Sequence, residues 1–251
     1  MNIHFINKTR GIAFVFMFIY HIFVFLKLLM NKNYLDNPIL NLIGSISRNI
    51  FIILVGVSLY LSFKNSKNID EYKKKQLLRS LKIYCIAIYI TILTYFIIPN
   101  QYVVFGVLHF ISISILLLYN FVNNIFALIL IIIICFILSN YKSTFLLTPS
   151  NSFIKYINGI IGLNIYKSTI DSFPLIKWIP KVIIGIFIGY ILYHFYKINK
   201  KIQHKKIKKK YIIQKKETFL DKIGKNTLLL YAIHFPIIIL VIFLIKNLLK
   251  I

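Results

Sequence analysis

Apolar residues fall in seven long runs separated by polar or charged breaks, at roughly 11–30, 39–63, 83–99, 103–119, 124–139, 175–196 and 226–245. About 18 residues wound at 1.5 Å each cross a hydrocarbon core of ~30 Å, so these runs predict membrane-spanning α-helices. Two are marginal: 83–99 ends at Pro99, and 124–139 is short though rich in Ile and Leu. The first run leads into Lys27 with no small-residue cleavage pattern, and is expected to remain as a span. The connection 140–174 has a moderately apolar middle, 153–165, interrupted by Lys155, Asn158 and Gly162. A re-entrant or interfacial piece is expected there rather than an eighth span. The fold expectation is therefore all-α: a single domain over 1–251, a polytopic integral membrane helical bundle of about seven transmembrane helices, eight if 153–165 crosses.

Composition agrees with the pattern. Apolar residues make up 59% of the 251, mean hydropathy is +0.77, and a soluble domain runs nearer ~45–50% apolar. Collagen-like, disordered and disulfide-scaffold classes are excluded. The charge changes the picture more: 31 Lys and Arg against 6 acids give +25, which invites nucleic acid as a partner. The placement of the charges argues against it. With the N-terminus in the cytoplasm, 21 of the 31 basic residues fall in the N-terminal segment and in the basic loops 64–82 and 197–225, as topology demands. The outer loop is then 140–174. The run Lys205, Lys206, Lys208, Lys209, Lys210 exceeds what orientation needs and suits anionic lipid headgroups or ligand phosphates. The setting expected is a cell membrane, with membrane lipids as partners and homo-oligomerisation left open. No repeat is visible, which weighs against an inverted-repeat transporter.

Ionisable groups at membrane depth are costly and so mark candidate sites. Four stand out: His21, Arg48, His109 and His234, each in a different run. His21 lies eleven residues after Arg10, close to three turns, which returns both to one helix face. A neutral imidazole suits proton transfer to or from a bound hydroxyl or amine. His109 shares a face with Gly106 and Ser112; His234 follows Tyr231 by three and precedes Pro236, which removes a backbone donor. Each of the three histidines has packing against a neighbouring helix as its plainer role. Arg48 needs water, an anion or helix carbonyls, or else reaches the outer interface. No acid lies deep in a span, so paired-carboxylate chemistry is disfavoured. Gly185 and Gly189 form a GxxxG that permits close helix packing. Cys85 and Cys135 have no CxxC spacing, and no metal site is expected.

Several stretches, in order, resemble a known family. Lys8-Thr9-Arg10-Gly11-Ile12-Ala13 with Met17 and His21 is similar to the Arg-Gly-x-Ala…His start of membrane-embedded acyltransferases. Closer is the resemblance to the heparan-alpha-glucosaminide N-acetyltransferase catalytic-domain-like family, also grouped as a domain of unknown function, the 1624 family. Supporting stretches are Arg48 to Ser58, Gly106-Val107-Leu108-His109, Asp171-Ser172-Phe173-Pro174 with Trp178, and Ile223-Gly224-Lys225-Asn226 through Tyr231 to His234-Phe235-Pro236. Two positions depart from the family's usual pattern: Asn7 stands for an acidic residue, and Lys177 for a Pro.

The resemblance implies transfer of an acetyl group from cytoplasmic acetyl-CoA, the acyl donor substrate, to an amine or hydroxyl of a sugar or glycolipid on the outer side. On it, His21 is expected to be catalytic, with Arg10 oriented toward the donor; Arg48, His109, Asp171 and His234 are expected to position substrate. Two rivals use the same residues differently. A transporter or flippase of a polar lipid or glycan would bind through them without consuming CoA, and a lipid-binding scaffold would tolerate their loss.

Overall fold

The computed structural model describes residues 3–30, 34–140, 152–163, 171–206 and 217–249. Among the described residues the secondary structure is helical, in the order α1 (Ile3–Met30), α2 (Pro38–Asn65), α3 (Ile69–Ile97), α4 (Val107–Leu118), α5 (Ile125–Asn140), α6 (Ser152–Ile161), α7 (Leu175–Lys206), α8 (Phe219–Lys225) and α9 (Thr227–Leu249). Five are long and apolar enough to cross a membrane: α1, α2, α3, the Leu175–Ile198 part of α7, and the Thr227–Ile245 part of α9.

Among the described residues, five of the seven expected spans are full-length helices, and α4 and α5 are shorter apolar helices. α4 and α5 have 12 and 16 residues, about 18 and 24 Å, short of a ~30 Å core. The run 103–119 loses its first turn to tertiary bonds. The Val103 amide donates to Thr94 Oγ1 at 3.0 Å, and the Phe173 amide donates to the Phe105 carbonyl at 3.1 Å. Gly106 is still extended, so the helix starts only at Val107. In the run 124–139, the Asn124 side chain accepts from the Ala127 amide at 3.0 Å and sets the start of α5.

The basic connections contain helix of their own. Segment 64–82 is largely helix: Asn68 Oδ1 accepts from the Glu71 amide at 2.8 Å and caps α3. Asp70 and Glu71 lie at the positive end of the helix dipole, and lysine is a good helix former, so a charged segment need not be a loop. Segment 197–225 begins as the continuation of α7 and ends as α8; Lys208, Lys209 and Lys210 lie outside the described residues. Within 140–174 the described helix is α6, whose ten residues make about 15 Å. Gly162 closes α6 at φ +100, a left-handed conformation that favours glycine.

The chain divides into two compact units. The first joins residues 1–54 to 196–251, and the second is 55–195. In the first, α1 packs on α8 and α9. The α1–α8 crossing is backbone against backbone: a Cβ on Gly11 would strike the Leu220 carbonyl, and one on Gly224 the Asn7 carbonyl. α1 is tied to α2 by Ser47 Oγ donating to the Ala13 carbonyl at 2.7 Å. There the Tyr20 ring lies flat on Gly44, where a Cβ would come within 2.7 Å of ring carbon.

In the second unit, α3 packs on α4. Ser80 and Ser112 join them, each hydroxyl 3.0 Å from the other residue's carbonyl. Gly56 of α2 meets the backbone of Val182 to Ile186 on α7, and Gly189 meets Val57. The GxxxG of α7 therefore packs against α2, the small residues allowing the close approach.

Candidate functional site

His21 of α1 and His234 of α9 are 213 residues apart in sequence and touch in the first unit. His21 Nδ1 lies 3.0 Å from His234 Nε2, with ring centroids 5.1 Å apart and planes inclined by 25°. His234 is 1% exposed, while His21 is half-buried. On its other side His234 Nδ1 lies 2.6 Å from the Tyr231 carbonyl.

These two contacts favour one arrangement of the protons in a neutral pair. A carbonyl only accepts, so His234 Nδ1 carries hydrogen and, in the neutral ring, Nε2 is a lone pair. His21 Nδ1 must then donate to it. The one ring nitrogen left with a lone pair is His21 Nε2, so the dyad presents a base of fixed tautomer. Around it stand aromatic rings: Phe14 against His234 at 6.2 Å, Phe235 against His21 at 5.2 Å, and Tyr231 edge-on to His234 at 4.8 Å. Pro236 lies inside α9, two residues beyond His234.

Arg10 is half-buried and its Nη1 reaches the Gly224 carbonyl at 3.5 Å, at the α1–α8 crossing. Eleven residues of helix, about 16 Å, separate it from His21, so the two cannot act on one reacting atom without moving. Arg48 is exposed on α2. Arg10, His21, Arg48 and His234 thus belong to the first unit, and His109 and Asp171 to the second.

His109 is buried on α4, 3.5 Å from Thr91 Oγ1 and edge-on to Tyr84 at 5.8 Å. Asp171 Oδ2 accepts from the Val107 amide at 3.1 Å, holding the first turn of α4. A lone amide at a helix start is one of four without an intrahelical partner, so this bond has structural value on its own.

One buried acid escaped the sequence reading. Asp221 is 1% exposed. Its Oδ2 accepts from the Thr218 amide at 2.9 Å and hydroxyl at 2.7 Å, while Oδ1 faces His4 Nδ1 at 3.7 Å. The Thr218 hydroxyl holds the carboxyl below the usual range, against the opposing effect of burial. The signal was present as Thr218-x-x-Asp221, a capping box. Nearby Glu217, ion-paired with Lys225, is likewise held low by that ammonium. Among the described residues no cluster of three His, Cys, Asp or Glu could hold a metal.

An all-helical integral membrane protein with an interhelical histidine pair is the class these features define. The chain belongs to the family of the heparan-alpha-glucosaminide N-acetyltransferase catalytic domain, which matches it over residues 3–236. That is a family of membrane acetyltransferases. No curated protein and no solved structure matches the chain.

Proposed function

We propose that the protein moves an acetyl group from acetyl-CoA to an amine or hydroxyl of a sugar or glycolipid, with His21 as general base. The observation that carries this reading is the contact of His21 Nδ1 with His234 Nε2, whose other nitrogen meets the Tyr231 carbonyl; in a neutral pair this leaves the lone pair on His21 Nε2. Family membership supports the reaction class.

In the proposed step the acceptor's N or O attacks the thioester carbonyl carbon. Its proton passes to His21 Nε2, the new C–N or C–O bond forms, and the C–S bond breaks with its electron pair on sulfur. His21 then returns the proton to the thiolate, giving the acetylated acceptor and free CoA. While His21 holds the extra proton, its Nδ1–H bond to His234 becomes charge-assisted and stronger. The dyad therefore favours the state along the reaction over the resting one, which is what catalysis requires. Arg10, too far along α1 to reach the same atom, suits the phosphates of the donor. The excess of Lys and Arg in 64–82 and 197–225 supports a cytoplasmic donor and an outer acceptor, across a cell membrane.

The test is release of free CoA thiol from acetyl-CoA by detergent-purified protein, wild type beside His21→Ala, with donor binding measured in parallel. Release that depends on His21 supports the proposal. Donor bound equally by both with equal release refutes His21 as the base, and no binding at all leaves substrate movement without acyl transfer as the better account.

A further inference from the structure

A groove of about 500 Å³ runs between α3 and α4 in the second unit, walled by Leu77, Leu78, Leu81, Tyr84, Ile113 and Leu116. Its volume is in the range of ligand sites, roughly 300–1,000 Å³. The floor offers little to a polar guest, because the Ser80 and Ser112 hydroxyls lie 2.9 Å apart and each is 3.0 Å from the other residue's carbonyl, so both protons are satisfied within the pair. Leu77, Leu81 and Tyr84 recur at helical spacing on one face of α3, and Lys73 and Lys74 occupy that face one turn earlier. Both lysines are exposed. Asp70 stands a further turn away, yet among the described residues no ion pair joins Lys73 or Lys74 to an acid. The segment 64–82 as a whole carries seven Lys and Arg against two acids.

Depth fits these two features together. α3 has 29 residues, about 43 Å, against a hydrocarbon core of ~30 Å. Its uncharged stretch, 83–97, is toward its end, and its basic part runs from Lys73 to Lys82, which sets Lys73 and Lys74 toward headgroup level and the groove at the edge of the hydrocarbon. We infer that the groove holds one acyl chain of an anionic phospholipid from the surrounding bilayer, with the lipid phosphate on Lys73 and Lys74. A second copy of the chain is the poorer occupant: a two-fold interface on this groove would set Lys73 and Lys74 against their own counterparts, like charge on like. The site is independent of acyl transfer.

The experiment is native mass spectrometry of the full chain in detergent, offered phosphatidylglycerol and phosphatidylcholine of the same acyl chains. The wild type retains phosphatidylglycerol in preference. The double variant Lys73→Gln, Lys74→Gln loses that preference by roughly thirtyfold, about fivefold for each lysine near the surface. Leu81→Trp, a change at an exposed position that fills the groove, lowers retention of both lipids. Equal retention of the two lipids by the wild type overturns the inference, as does an unaltered preference in the double variant. A dimer that Leu81→Trp dissociates overturns it in favour of a second copy.

Discussion

Replacing His234 by Phe removes the acceptor for His21 Nδ1 while keeping a buried ring among Phe14, Tyr231 and Phe235. The His21–His234 bond is a neutral one, of the kind that contributes about 1 kcal/mol net. Its loss lets His21 exchange tautomers and shifts the tautomer ratio against a free Nε2 by roughly fivefold, which lowers the fraction with Nε2 free by about two- to threefold. The ring also loses its alignment, and a misplacement of ~1 Å in a reacting group costs on the order of 100-fold. The expected fall in kcat lies between these, about 10- to 100-fold, with KM for acetyl-CoA unchanged. His21→Ala, which removes the proposed base itself, falls further, by roughly 10²–10⁴. His234→Gln regains part of the loss, because an amide oxygen can accept from His21 Nδ1. The assay is CoA thiol release, with thermal unfolding as the control for folding. Wild-type activity in His234→Phe would refute the tethered-tautomer argument; so would a Gln variant no better than Phe.

Gly56→Ala puts a Cβ into the Val182 carbonyl and the α7 backbone, which no rotamer change can relieve; overpacking of about 1–3 kcal/mol lowers Tm by several degrees. Thr218→Ala costs about 1 kcal/mol by losing the cap of α8. The Asp221 carboxyl is held low when folded, so its stabilisation is present above the unfolded value near ~3.9 and fades as pH falls through the folded one. The Tm gap between wild type and Thr218→Ala therefore narrows below about pH 4, and a gap that stays constant to lower pH would show that the carboxylate takes no part. Asp171→Ala frees the Val107 amide and speeds hydrogen exchange in the first turn of α4, at a cost of about 1 kcal/mol. Asp171→Asn, which keeps a side-chain oxygen, does so less.

Hydrophobic length read well where a run was helical throughout, as in α1, α2, α7 and α9. It overstated the helical extent of 103–119, because apolar residues such as Val103 and Phe105 are apolar whether they continue a helix or pack as extended chain. The start of α3 was readable in Asn68-x-x-Glu71, a cap followed by an acid, but charge density disguised it as a loop. His21 and His234 both stood out as ionisable groups in apolar runs. Their pairing had no sequence signal at all, since it depends on how α1 and α9 are turned toward each other across 213 residues. Asp171 was visible as a conspicuous acid, while its bond to the α4 start depends on a loop geometry no spacing encodes.

The Tyr20 ring seated on Gly44 bears directly on the residue after it. A side chain on α1 rides about 5–6 Å from the helix axis, so a 10° roll of the helix carries its tip about 1 Å. A larger residue at position 44 would displace the ring, either by turning its own χ angles or by rolling α1. To the extent that α1 rolls, the bare glycine on the neighbouring helix sets where His21 Nε2 points.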